Sequence, residues 1–168
     1  MMDEIDHKLL TILQENASLP VNEMAERVGL SPTPCWRRIQ KLEQAGVITR
    51  RVALLDPARV GADLTVFVAV EAGDHSPGWL ERFATAVSAM PEVMELYRMA
   101  GDVDYLLRVA VHDMAAFDRF YKRLIATTPL KNVTSRFAME RIKSTTALPL
   151  HASAFHDRRG TDDSADGH

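Results

Sequence analysis

The stretch GLSPTPCWRRIQKLEQAGVI, Gly29 to Ile48, sets a serine before two closely spaced prolines, then a basic run, then a glycine. Ser31 suits a helix N-cap, and Pro32 suits the first helical position, where its missing N–H is no loss; Pro34 is still inside the first turn. Gly46 suits the residue that ends the helix. At about 100° per residue, Cys35, Ile39 and Leu42 share an apolar stripe, whereas Thr33, Arg37, Gln40 and Gln44 fall opposite with Lys41 beside them. One face packs and the other offers donors.

Two helices precede it. Ile5, Leu9, Ile12 and Leu13 recur at helical spacing between Asp3 and Asn16, and Val21, Met24, Ala25 and Val28 repeat the pattern before Gly29 closes it. Three short amphipathic helices with a glycine turn before the third predict a helix-turn-helix unit, whose last helix can enter a DNA major groove. The net charge of −3 means that a nucleic-acid role has to rest on local charge. Between Ser31 and Arg51, five basic residues (Arg37, Arg38, Lys41, Arg50, Arg51) face one acid, Glu43. Trp36, between the two faces, is expected to pack on the first helix, and Cys35 to be a small buried hydrophobe.

The chain has 168 residues, 46% of them hydrophobic, enough for one ordinary domain or two small ones. A single cysteine excludes an intrachain disulfide, and no apolar run approaches the ~20 residues of a membrane span. The N-terminus MMDEIDHKLL lacks the features of a signal peptide, so a cytoplasmic protein is expected. The six histidines show no metal-ligand spacing, and neither metal nor cofactor is assigned.

From Val47 the period changes: VITRRVALLDPARVG predicts a short strand and a Pro/Gly turn, a linker over 51–62 between a helical domain (1–50) and a second domain (63–150). LTVFVAVEA predicts a strand; SPGWLERFATAVSAMPEV a helix capped by Ser76 with Trp79, Phe83, Val87 and Met90 inward; VMELYRMA and DYLLRVAV two strands around the GDVD turn. DMAAFDRFYKRLIATTP predicts a helix capped by Asp113, and VTSRFAMERIKST a last strand. The order βαββαβ is the ferredoxin-like arrangement, an α+β fold with both helices on one face of a four-stranded sheet. Phe67, Tyr97, Met99, Leu106 and Phe137 are expected to make the other face partly apolar, and therefore a dimer interface. Residues 151–168 include DRRGTDDSADGH, too polar to add to a core, and are expected to be disordered.

IDHKLLTILQENASLPVNEMAERVGLSPTPCWRRIQKLEQAGVI, LLDPARVG, GDVDYLL and MERIKSTTALPL together resemble the leucine-responsive regulatory protein (Lrp/AsnC) family over about Ile5 to Leu150. The resemblance implies a transcription regulator with an N-terminal winged helix-turn-helix and a C-terminal amino-acid-sensing domain that forms homodimers and often octamers, as tetramers of dimers. Its partners would be double-stranded DNA and a free amino acid effector. With the third helix reading DNA, Arg37 and Gln40 or Gln44 would reach base edges; Ser31, Thr33, Arg38, Lys41, Arg50 and Arg51 suit phosphate contacts.

Taken alone, GDVD is a hairpin turn that uses glycine for backbone freedom and aspartate for local hydrogen bonds. The resemblance implies that Gly101, Asp102 and Asp104 receive the charged ends of the effector, with Ser135 supplying a hydroxyl. Met99 and Phe137 would hold an apolar effector side chain. The family's usual Thr-x-Thr pattern is broken here, Val133 taking its first position. A second reading is an enzyme, since the same frame resembles a group of tetrapyrrole decarboxylases. Against it stand the intact Arg/Lys/Gln face of the third helix and the lack of a clustered His or Arg set suited to a large anionic substrate.

Overall fold

Asp3 and Asp6 start the first helix by capping each other. The Asp3 carboxylate accepts from the Asp6 N–H at 2.9 Å and the Asp6 carboxylate from the Asp3 N–H at 3.1 Å, a capping box that opens α1 (Glu4–Glu15). The computed structural model describes residues 2–150, so the tail expected to be disordered lies outside the described residues. The described residues divide into two units, one comprising those up to Ala53 together with 143–150, the other Leu54–Ile142.

In the first unit α2 (Val21–Val28) ends on Gly29, whose φ of 72° turns the chain so that the Leu30 N–H closes onto the Ala25 carbonyl at 2.9 Å. That left-handed conformation is the reason for glycine at this turn. α3 (Pro32–Gln44) follows with Ser31 at its N-cap, but the Ser31 hydroxyl makes no capping bond. The third helical residue is Pro34, which has no N–H to donate, so Ser31 contributes through its carbonyl, which accepts from the Cys35 N–H at 3.2 Å. Leu9, Met24, Ala25, Cys35 and Ile39 form the core between the three helices.

The strand expected after Val47 is not formed. Residues 49–56 carry no ladder, and Val52, Leu54 and Leu55 are exposed, because a strand needs a neighbour and this segment has none among the described residues. The turn is present at 57–61. Among the described residues, 143–150 group with the helices. Leu148 is clipped there by its main chain: its N–H donates to the Gln14 side-chain oxygen at 2.6 Å and its carbonyl accepts from the Gln14 amide at 3.2 Å.

The second unit contains β1 (Leu64–Ala72), α4 (Pro77–Ser88), β2 (Val93–Arg98), β3 (Tyr105–Val111), α5 (Met114–Ile125) and β4 (Leu130–Phe137). The strands lie in the order β2-β3-β1-β4 with every pair antiparallel, which is the expected ferredoxin-like α+β fold. Along β3, Tyr105, Leu107, Val109 and Val111 are buried and the residues between them are not, so one face takes both helices. Val66, Val68 and Val70 of β1 join that face, against Trp79, Phe83 and Val87 of α4 and Phe117, Phe120 and Leu124 of α5.

The last strand differs from expectation in extent and in parity. It runs Leu130–Phe137 rather than from Val133 to the residues near Thr145; beyond Phe137 only the Ala138 N–H, donating to Thr65 at 3.0 Å, still reaches β1. Opposed residues of an antiparallel pair share a face, and Val133, Ser135 and Phe137 oppose Val70, Val68 and Val66. Phe137 therefore lies on the helix side, edge-on to Phe117 with ring centroids 5.1 Å apart, and not on the open face. The open face keeps Phe67, Tyr97, Leu106 and Met99, crossed by a 2.8 Å ion pair between Arg108 and Glu95. That pair holds the Glu95 carboxyl below its usual range.

Candidate functional site

On α3 the stripe of Cys35, Ile39 and Leu42 is buried, and the opposite arc of Ser31, Thr33, Arg37, Lys41 and Gln44 is exposed. Arg37, Lys41 and, beyond the helix, Arg50 make no ion pair among the described residues. Three of the residues assigned to DNA are already engaged. Glu43 accepts from Gln40 and from Arg51, each at 2.8 Å, which leaves both side chains on the surface but partly neutralises Arg51.

Arg38 departs furthest from the sequence expectation. Its guanidinium reaches back to Asp3 at 2.7 Å and Asp6 at 2.8 Å, the two residues of the α1 capping box, so it ties α3 to the start of α1 rather than standing free for a phosphate. The hydrogen bond to Asp6, then that to Asp3, pushes the Arg38 pKa up. The Asp3 carboxyl is lowered, first by the Asp6 N–H and then by Arg38. Arg38→Ala is expected to lower the melting temperature by a few degrees, the scale of about 1 kcal/mol for a half-exposed pair, while leaving the salt dependence of DNA binding unchanged. A slope reduced by about one would instead make Arg38 a phosphate contact. Because Asp3 is lowered in the folded chain, its contribution is complete above the ordinary aspartate pKa of about 3.9 and is lost as pH falls through the lower folded value.

Trp36 is not among the residues packed on the helical core: it is 52% exposed, at the edge of the donor arc, against 2% for Trp79. Cys35 is fully buried, and burial pushes its thiol up, as suits a structural cysteine and not a reactive one.

In the second unit the GDVD turn joins β2 to β3, with Gly101 at φ 124°, a conformation that disfavours any side chain. Asp104 fastens this turn to the end of β1 by two bonds: its N–H donates to the Val70 carbonyl at 2.9 Å, and its carboxylate accepts from the Ala72 N–H at 2.7 Å. The other carboxylate oxygen faces His75 Nδ1 at 3.7 Å. His75 has no signal in the sequence, since only the approach of the β1 exit loop to the turn brings it there. Asp102 is exposed beside them, and Met99, 39% exposed, donates its N–H to the Asp104 carbonyl at 2.9 Å.

Ser135 and Phe137 do not join this turn within the chain. β2 and β4 are opposite edges of the sheet, roughly 14 Å apart at strand spacing, and Phe137 and Met99 lie on opposite faces. The Ser135 hydroxyl is enclosed on the helix side with no hydrogen-bond partner. Among the described residues no group of His, Cys, Asp or Glu could hold a metal ion, and no helix is long and apolar enough to cross a membrane.

Two family models match the chain. A winged helix-turn-helix DNA-binding model covers residues 2–49, and an Lrp/AsnC ligand binding domain model covers 65–148. The chain is 51% identical over 151 residues to the DNA-binding transcriptional activator DecR of Escherichia coli, covering 89% of this chain and 99% of that one. Among solved structures, an AsnC family transcriptional regulator from Agrobacterium tumefaciens superposes with a TM-score of 0.86 at 60% identity, covering 88% of this chain and 97% of that one. A transcriptional regulator from Neisseria meningitidis, solved in complex with L-methionine, superposes with a TM-score of 0.85 at 39% identity, covering 89% and 97%.

Proposed function

The chain belongs to the Lrp/AsnC family of DNA-binding transcriptional regulators, and on that premise we propose which of its residues read the operator and which receive the effector. It is a regulator and not an enzyme; the decarboxylase-like alternative finds no support among its relatives. Of the alternatives Gln40 and Gln44, the Gln40 amide is held by Glu43, so Arg37 and Gln44 read base edges, while Ser31, Thr33, Lys41, Arg50 and Arg51 hold phosphates. Arg38 is withdrawn from that set because its guanidinium is committed to Asp3 and Asp6.

The effector is a free amino acid with an apolar side chain, held by Met99, Gly101, Asp102 and Asp104. The observation that carries this is the divided Asp104 carboxylate, with one oxygen pinning the end of β1 and the other facing outward. An ammonium group arriving at the outer oxygen acts on the carboxylate that ties the hairpin to β1, and so can bias how the strands sit. The apolar side chain would lie along Met99, a fit that the methionine complex of the Neisseria relative supports. A second copy of the chain covers Phe67, Tyr97 and Leu106 on the open sheet face, giving a homodimer that can assemble further into an octamer, and the protein works in the cytoplasm where its DNA lies.

Fluorescence anisotropy on labelled DNA from upstream of the protein's own gene, with each amino acid added in turn, tests both assignments. The native chain should bind more tightly than to scrambled DNA and shift with methionine- or leucine-like effectors. Asp104→Asn keeps an acceptor for the Ala72 N–H but removes the charge, and should need about tenfold or more effector for the same shift. An unaltered response would remove Asp104 from the site.

A further inference from the structure

The geometry points to Trp36 as a specificity-determining residue that reads a thymine methyl group in the major groove. This rests on α3 being the DNA-reading helix. Trp36 is the fifth residue of α3, in the N-terminal part of such a helix where base edges are contacted. On the helical wheel it stands about 40° from Gln40, 60° from both Thr33 and the buried Ile39, and 100° from both Arg37 and the buried Cys35, at the border between the donor arc and the packed stripe. Half of its surface is open, and its indole N–H has no hydrogen-bond partner among the described residues.

The other tryptophan, Trp79, is buried on Phe83 and donates to the Pro129 carbonyl. Trp36 makes no ring contact and no hydrogen bond among the described residues, and it is flanked on one side by polar donors. In a major groove the donors and acceptors of the bases suit Arg37 and Gln44, and the one apolar feature available to an indole is the C5-methyl of thymine. Gln40, the neighbour at this edge, has its amide held by Glu43 at 2.8 Å, whereas the half-exposed indole has no hydrogen-bond partner among the described residues.

The test is a binding selection from a pool of random duplex DNA with the full chain, as native protein and as Trp36→Ala, followed by affinity measurements on the selected duplex with each thymine replaced by deoxyuridine. That replacement removes a methyl group and nothing else. One thymine per half-site should be fixed by the native protein and become degenerate with the variant, and uracil there should weaken native binding about fourfold while leaving the variant indifferent. Equal melting temperatures would show that the exposed substitution leaves the fold intact, and the uracil series on the native protein needs no variant at all. Native binding that tolerates every uracil, or a variant that keeps the same thymine preference, overturns the assignment. A native chain that enriches no sequence would overturn the reading helix together with it.

Discussion

Replacing Arg37 and Lys41 together by alanine is expected to weaken operator binding by about two orders of magnitude while leaving the melting temperature and the oligomeric state unchanged. Both side chains are exposed on the arc of α3 opposite its buried stripe, and neither makes an ion pair among the described residues. Their removal therefore breaks nothing in the fold. An arginine that pairs bidentately with guanine is worth about 1–3 kcal/mol of discrimination, and a lysine on a phosphate contributes about one unit of salt slope. In the proposed homodimer each loss would occur twice, which is why the double variant should fall so far. Anisotropy at two salt concentrations separates the parts: Lys41→Ala should flatten the salt dependence, and Arg37→Ala should relax sequence preference. Unchanged affinity would move the reading face elsewhere, and a lowered melting temperature would make these residues structural.

The contrast with Arg38, next in sequence to Arg37, shows where sequence reasoning ends. Helical periodicity separates Cys35, Ile39 and Leu42 from Arg37 and Gln44 because that signal is local, and the structure follows it. Whether a cation at the margin of the arc faces DNA or an acid is decided by residues far away in sequence; Asp3 and Asp6 lie 35 and 32 positions from Arg38. Trp36 escapes for the same reason, since only the packed structure shows that half of it stays open.

The sheet divides in the same way. Strict alternation makes the buried face of β3 legible, as does the apolar run of β1. β4 is an edge strand with weak alternation, and its parity is set by the ladder to β1 rather than by its own residues. A one-residue slip moves every side chain to the other face, which is how Phe137 comes to lie against Phe117 and away from Met99. The turn was legible as a turn; that Asp104 also fastens β1 depends on pairing across 32 residues.

The largest loss of stability is expected from Trp79→Ala. Trp79 is 2% exposed, stacks on Phe83 with ring centroids 5.1 Å apart, lies 6.4 Å from Tyr105, and donates its indole N–H to the Pro129 carbonyl at 3.1 Å. Truncating a buried aromatic of this size costs about 3–5 kcal/mol, which for a unit of this length lowers the melting temperature by roughly 20 °C. Trp79→Phe separates the two roles: it keeps a stacking ring but leaves the Pro129 carbonyl without its donor, and should cost about 1–2 kcal/mol. The same carbonyl lies 2.8 Å from where a Cβ on Gly73 would stand, so α4, the β1 exit and the entry to β4 meet at one point. Ala72, whose N–H is held by Asp104, adjoins that glycine. Loosening Trp79 should therefore blunt the amino-acid response at temperatures where the sheet is still folded, while DNA binding by the helical unit persists. Thermal melting by near-ultraviolet circular dichroism, paired with anisotropy titrations below the transition, checks both halves. A Trp79→Ala protein that melts like the native one would mean that the loop and β4, rather than the indole, hold this corner together.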